Sequence, residues 1–326
     1  WEAIQDGPWQ SLLLGNGASI ALHHGFGYST LHGVAEARGL LATTAPLFGR
    51  LGTTDFEHVL LACWYAEHVN EALGSPSADI TSAYEEVRTA LIEAVHAVHP
   101  VHADTAAELL RAAGYASRFQ TVVSLNYDLT LYWAMLLFNE ENGNWFKDAF
   151  RNGEFQTDWE YMRRPYGRAE GATLVFYPHG NLSLARDYLG EESKISAGAN
   201  DLLNTITGSW SSGQYVPIFV SEGTSKQKVS AIRRSRYLGV VLEDVLPDLG
   251  EDIVVYGWSF DERDQHVLDA MSTNAPNNMA VSVFTGQPDA EQQAYCHHVL
   301  RAINRSMPDT TVTFFDSQSP GCWKNP

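Results

Sequence analysis

Four short stretches carry residue types that could do chemistry together. In Leu12-Leu13-Leu14-Gly15-Asn16-Gly17-Ala18-Ser19-Ile20 an apolar run ends in glycines and leads into a helix start. Glycine lacks a Cβ, so the backbone can turn sharply there and an anion can approach it. Ser19 and the N–H groups at the positive end of the following helix would face that anion. The pattern is half of a dinucleotide-binding fingerprint, and a plain tight turn reads the same way. Asn126-Tyr127-Asp128 closes a second apolar run. An Asn carboxamide donates and accepts hydrogen bonds without adding charge, and the same residues also make an ordinary strand-to-helix cap. His179-Gly180 places an imidazole, which titrates near neutrality, where either a general base or a turn residue belongs. Gly257-Trp258-Ser259 closes a further apolar run, with Asp264 just beyond it.

These residues need elements to hold them. Apolar and β-branched runs at 11–15, 121–125, 173–177, 216–220, 252–256, 280–284 and 311–315 predict strands. Pro217 moves the fourth of these toward a sheet edge. Helical stretches separate most of the runs, so the strands are expected to form a parallel sheet covered on both faces. Residues 54–115 read as a helical insertion after the first strand. Within it Ile80, Tyr84, Val87, Leu91 and Val95 recur every three or four positions after a Ser75-Pro76-Ser77 break. Residues 139–170, dotted with glycine and aromatic side chains, read as a second insertion offering a partner surface. Residues 181–214 read as irregular. In a parallel sheet ligands bind beyond the carboxyl ends of the strands. The polar clusters Gly15–Ser19, Asn126–Asp128, His179-Gly180, Glu222–Ser225 and Gly257–Asp264 all fall there, and the glycine-rich loop His23–Tyr28 would lie over the ligand.

Bulk properties narrow the function classes. The chain has 326 residues, 44 % of them hydrophobic, enough for a sizeable core. Its formal net charge of −18 disfavours direct nucleic-acid binding. The basic patch Lys226, Lys228, Arg233, Arg234 and Arg236 reads as the solvated face of a helix. Three cysteines without a Cys-x-x-Cys pair exclude a four-thiolate zinc site and point to a reducing cytoplasm. His96, His99 and His102 invite a metal reading, but Pro100 interrupts their spacing and no acidic or thiol ligand accompanies them. No apolar run reaches the length of a membrane span, and no leader peptide is legible.

Taken together, the motifs resemble the sirtuin-like family. Gly15-Asn16-Gly17-Ala18-Ser19 is similar to its Gly-Ala-Gly-x-Ser loop. Ser124-Leu125-Asn126-Tyr127-Asp128 is similar to its Thr-Gln-Asn-x-Asp motif, His179-Gly180 to its catalytic His-Gly, and Gly257-Trp258-Ser259 to its Gly-x-Ser turn near the adenosine ribose. The four occur in the family's order between about residues 11 and 270. The zinc ribbon of the deacylases is missing, as is the Asp-Phe-Arg segment after the glycine loop. The resemblance is therefore to the prokaryotic branch that cleaves NAD in anti-phage defence, and Gly257–His266 has the look of that branch.

The resemblance implies one Rossmann-like α/β domain over residues 1–326, with insertions at 54–115 and 139–170. It implies an NAD glycohydrolase that takes NAD as substrate, without a further cofactor or metal, and releases nicotinamide and ADP-ribose. Asn126 and His179 are the expected catalytic residues. Gly15, Asn16, Gly17, Ser19, Asp128, Gly257, Ser259 and Asp264 are expected to bind the dinucleotide, with Asp128 orienting Asn126 or its loop. A homo-oligomer in the cytoplasm, switched on by a protein partner and not bound to membrane, completes the expectation. The alternatives are a non-catalytic NAD or ADP-ribose sensor and a protein deacylase.

Overall fold

A computed structural model describes the chain apart from residues 27–30, 101, 188, 199–200 and 221–223, with side chains also left undescribed at 25, 57 and 102–104. Twelve strands are present among the described residues. They are β1 (Ser11–Leu14), β2 (Thr121–Ser124), β3 (Phe146–Lys147), β4 (Phe150–Arg151), β5 (Glu154–Phe155), β6 (Thr173–Phe176), β7 (Gly180–Asp187), β8 (Glu192–Lys194), β9 (Tyr215–Phe219), β10 (Asp252–Tyr256), β11 (Asn278–Val283) and β12 (Thr311–Asp316). Twelve helices accompany them: α1 (Asn16–Leu22), α2 (Leu31–Ala37), α3 (Ala45–Leu51), α4 (Phe56–Leu73), α5 (Ala78–Val98), α6 (His102–Ala116), α7 (Thr130–Asn142), α8 (Leu202–Ser211), α9 (Ser225–Ile232), α10 (Arg236–Val240), α11 (Gln265–Met271) and α12 (Asp289–Ser306).

Seven strands form a parallel sheet in the order β12-β11-β10-β1-β2-β6-β3. Every residue of β1, β2 and β6 is buried, which is why these strands read as unbroken apolar runs rather than as alternating ones. β1 lies at the centre, with Leu12 opposite Val122 of β2 on one side and Val254 of β10 on the other. The chain proceeds from β1 through β2 to β6, then returns to the far side of β1 at β10. This is the strand order of a Rossmann-like fold with a short extra edge strand, and its switch point lies between β1 and β10.

The run at 216–220 does not join this sheet. As β9 it is an edge strand of a second, antiparallel sheet ordered β4-β5-β8-β7-β9. Pro217 lacks an N–H to give a second neighbour, so the edge suits it. Residues 181–214 are not irregular either. They hold β7, β8 and α8, and β7 starts directly after His179. His179 thus sits where the chain leaves the parallel sheet and enters the antiparallel one.

The stretch 56–116 is helical, as α4, α5 and α6, and falls between β1 and β2. Tyr84, Val87, Leu91 and Val95 of α5 are buried. In the stretch 139–170, Phe146 and Trp159 are buried in the core, where Trp159 packs edge-on against Phe176, while Tyr161 and Tyr166 are exposed. Among the described residues no helix is long and apolar enough to cross a membrane.

Gly180 makes the change of sheet possible. Its φ is +76°, and a Cβ there would stand 2.2 Å from the Ile218 carbonyl oxygen. Gly180→Ala therefore combines left-handed backbone strain with a clash and should lower unfolding free energy by about 2–4 kcal/mol. Gly190→Ala is the control, because Gly190 has a φ of +87° with nothing near its missing Cβ. It should lose only the backbone share, about 1–2 kcal/mol. Urea denaturation of the two variants checks the difference.

Candidate functional site

The carboxyl ends of β1, β2, β6 and β10 meet in one region, where two connected polar clusters form. The first is built around α1. Asn126 donates from Nδ2 to the Gly15 carbonyl at 3.0 Å and to Ser19 Oγ at 2.9 Å. Ser19 donates in turn to Asp128 Oδ2 at 2.6 Å, while Asp128 Oδ1 accepts the N–H of Thr130 at 2.8 Å. Asn126, Ser19 and Asp128 are all buried. Both amide hydrogens of Asn126 are thus engaged, and its carbonyl oxygen accepts nothing among the described residues. The amide is therefore free to accept from a ligand or water but not to donate to one.

The second cluster surrounds His179 and draws on three distant segments. His179 Nε2 lies 2.9 Å from His266 Nε2 on the first turn of α11. It lies 3.8 Å from Asp264 Oδ1. Lys228 of α9 places its ammonium 2.7 Å from the same Asp264 oxygen, and Trp258 Nε1 donates to Asp264 Oδ2 at 3.4 Å. Ser225 Oγ stands 3.2 Å from His266 Nδ1 and accepts the His266 backbone N–H at 3.2 Å. The clusters are joined because the Leu182 N–H donates to the Tyr127 carbonyl at 2.9 Å, tying the strand that follows His179 to the loop that holds Asn126. Asn181 Nδ2 also donates to the Asp128 carbonyl at 2.7 Å.

Burial sets the charge states here. It pushes His179 down to about 3, and the Lys228 ammonium adds to that, with Asp264 opposing. Burial likewise lowers His266 to about 4. Burial works against the charge of Asp264, yet His179 and Lys228 leave its carboxyl below the ordinary value. At neutral pH the site therefore holds two neutral imidazoles over a carboxylate–ammonium pair.

Several expected ligand contacts are taken up by the protein itself. The N–H of Gly17 donates to the Gly257 carbonyl at 2.8 Å, and that of Gly15 to the Tyr256 carbonyl at 3.0 Å. A Cβ on Gly15 would meet Trp258 Cα at 2.4 Å, and one on Gly17 would meet Gly257 Cα at 2.8 Å. The space the glycines leave thus admits the 257–258 backbone rather than a phosphate. The Ser19 hydroxyl is committed to Asp128 and Asn126, so it does not face an anion. Both carboxylate oxygens of Asp128 are used, one anchoring Ser19 and the other holding the start of α7. Asp264 pairs with Lys228 and lies beside His179. Trp258 is buried and stacks on Phe260 with ring centroids 4.1 Å apart. Gly257 has a φ of +69° and holds α1 through its carbonyl. Asn16 and Ser259 are exposed, with Asn16 Nδ2 bracing the Phe26 carbonyl at 3.1 Å.

Three participants were not assigned a role from sequence: His266, Ser225 and Lys228. Lys228 belongs to the basic patch, yet it is buried while Lys226, Arg233, Arg234 and Arg236 are exposed. The Asp-x-His spacing of Asp264 and His266 was a signal in plain view. Of Glu222–Ser225, residues 222 and 223 lie outside the described residues, as do Gly27 and Tyr28 of the glycine-rich loop. Of His96, His99 and His102, His99 is buried with Nδ1 on the Val95 carbonyl, His96 is exposed beside Thr207, and the His102 side chain is not among those described. His179, Asp264 and His266 bring three candidate metal-ligand atoms within 4.8 Å of one another. Two neutral imidazoles and a carboxylate suit a transition metal, but Lys228 already supplies the countercharge to Asp264.

The sheet order defines a Rossmann-like α/β protein, with a buried polar site beyond the carboxyl ends of β1, β2, β6 and β10. The family described as "Domain of unknown function (DUF4917)" matches residues 12–323, and the chain belongs to that family. No curated protein matches it.

The two histidines make stability acid-sensitive. In the folded chain they stay neutral down to about 3 and about 4, whereas unfolded histidine protonates near 6.5. Between those values the unfolded state binds more protons, so stability falls as pH drops below about 6.5. The loss approaches about 1.4 kcal/mol per ring for each pH unit. Denaturation between pH 7.5 and 5 should show it, and the His179→Gln/His266→Gln double variant should give a flatter curve.

Proposed function

We propose that this chain hydrolyses NAD at the nicotinamide–ribose bond, giving nicotinamide and ADP-ribose. The reading rests on the sirtuin-like order of its motifs. The observation that carries it is that the loops of Asn126 and His179 lie side by side beyond the ends of β2 and β6, where Asn181 Nδ2 donates to the Asp128 carbonyl and the Leu182 N–H to the Tyr127 carbonyl. In the reaction the glycosidic C–N bond breaks through an oxocarbenium-like state and nicotinamide leaves as a neutral molecule. Water adds to the anomeric carbon and gives up a proton. The free carbonyl oxygen of Asn126 accepts from, and so aims, the water or a ribose hydroxyl. His179 is unprotonated at neutral pH, the state that a general base must have. A water-poor setting strengthens both interactions.

The dinucleotide-binding roles divide accordingly. Asn16 and Ser259 are the exposed members that can still reach ligand, while Gly15, Gly17, Ser19, Asp128 and Gly257 shape the loops that receive it. The same proposal extends to a cytoplasmic anti-phage effector that assembles with itself and answers to a protein partner. Tyr65, Val69 and Leu73 stand exposed one turn apart along α4, an apolar row that a second copy would cover. A sensor that binds NAD or ADP-ribose without cleaving it is favoured by one observation: His179 Nε2 is already engaged with His266.

Nicotinamide release from NAD, followed by chromatography, separates these readings. Asn126→Ala and His179→Ala should each lower the rate by about 100-fold or more. Release that survives both substitutions would overturn the hydrolase. NAD binding with no release, unaltered by His179→Ala, would establish the sensor.

A further inference from the structure

His179 and His266 face each other Nε2 to Nε2 across 2.9 Å. While both rings are neutral, one hydrogen occupies that gap, and the neighbours decide which ring owns it. Ser225 Oγ accepts the His266 backbone N–H at 3.2 Å, so its hydroxyl hydrogen is left for His266 Nδ1, also 3.2 Å away. Neutral His266 then holds its hydrogen on Nε2 and donates it to His179 Nε2, which carries the lone pair. The hydrogen of neutral His179 therefore sits on Nδ1. The row from Ser225 through His266 to His179 runs in one donor direction, with no lone pair facing another.

Around this row the charges come from separate elements. Lys228 projects from α9, Asp264 from the turn before α11, and Asp269 from α11 itself, where it acts on His266. Lys228 Nζ and Asp264 Oδ1 are 2.7 Å apart, and Asp264 Oδ1 lies 3.8 Å from His179 Nε2. The three facing atoms of His179, Asp264 and His266 fall within 4.8 Å of one another.

We propose that His266 is a positioning residue: it holds His179 in the Nδ1–H tautomer, so that the Nε2 lone pair is ready for the proton of a water or substrate hydroxyl. The inference rests on the hydrolase reading for its catalytic consequence but not for the tautomer itself. When a water or hydroxyl takes over the lone pair, the His266 N–H is released and Asp264 is within reach as its acceptor. An O–H bond of that group then breaks as an N–H bond forms on His179. The resulting imidazolium has the Asp264 carboxylate as countercharge.

The test uses the whole chain, with histidines labelled by nitrogen-15. In the free wild-type protein, NMR should show His179 as a single Nδ1–H tautomer. His266→Leu, which removes the donor, should leave His179 as a mixture of tautomers. His266→Gln, which keeps an N–H donor, should preserve the single form. With NAD, His266→Leu should lower kcat by about 10–100-fold, within the range of acid–base contributions, with KM changed less than about threefold. His266→Gln should recover most of that rate. Melting curves of both variants identify any that fail to fold, and a folded Gln variant alone still decides the tautomer. Wild-type His179 found as Nε2–H, or a tautomer indifferent to His266→Leu, overturns the proposal. So does a stoichiometric divalent metal in the purified protein that is lost with His266→Leu, since both Nε2 atoms would then be ligands. A tautomer that follows His266 in a protein that never cleaves NAD upholds the positioning role and removes only the hydrolase reading.

Discussion

The contact between Lys228 and Asp264 is what the rest of the site depends on. Both side chains are almost out of water, at 7 % and 15 % exposure. A charge moved from water into a protein interior without a partner loses several kcal/mol of solvation. The pair is tolerable only while α9 and the turn ahead of α11 keep their ends together at 2.7 Å. Once they do, the local charge sums to zero, and two imidazoles can lie alongside without protonating. An unpaired Lys228 would press harder against any positive charge on His179. An unpaired Asp264 would draw a proton onto it. The protonation state of the central histidine is set first by burial, and then by an ion pair between residues 36 positions apart in the chain.

A second constraint is steric. The loop after β10 lies so close to the start of α1 that neither Gly15 nor Gly17 could carry a side chain. The missing Cβ atoms were legible, but their occupant was not. A glycine-rich turn read alone suggests room for a phosphate; in the folded chain that room receives another backbone, and the Gly17 N–H is spent on it. The same approach holds the Gly257 turn against α1, so the switch point is a braced junction. The Asn126–Ser19–Asp128 network locks it from the other side. The polar residues at these strand ends first organise the loops, and among the buried ones described, Asn126 keeps a spare acceptor in its carbonyl oxygen.

Much of the fold could be read directly. The runs at 11–15, 121–125, 173–177, 252–256 and 280–284 became main parallel strands because strands buried on both faces have to be continuously apolar, and the run at 311–315 became the half-exposed edge strand β12. β7 escaped notice although Leu182 and Leu184 alternate with Asn181 and Ser183, because the polar members of that alternation are buried as well. β9 was recognisable as a strand and even as an edge strand, but not its sheet, since pairing is a relation between distant segments. Of the site, Asn126 and His179 were identifiable by type and position. Lys228 looked like one more surface charge, and nothing local distinguishes a lysine that meets a buried carboxylate from one that meets water.

The sequence by itself determined the α/β class, the places where strands end, and the residue types gathered at those ends. These follow from local patterns of apolarity, turn chemistry and glycine. Tertiary structure decided which of those ends face one another: that His266 rather than solvent meets His179, that Asp264 meets Lys228 and lies beside the two histidines, and that Ser19 is spent on Asp128. Such choices depend on distances between segments far apart in the chain, and those distances exist only once the sheet has closed around its core.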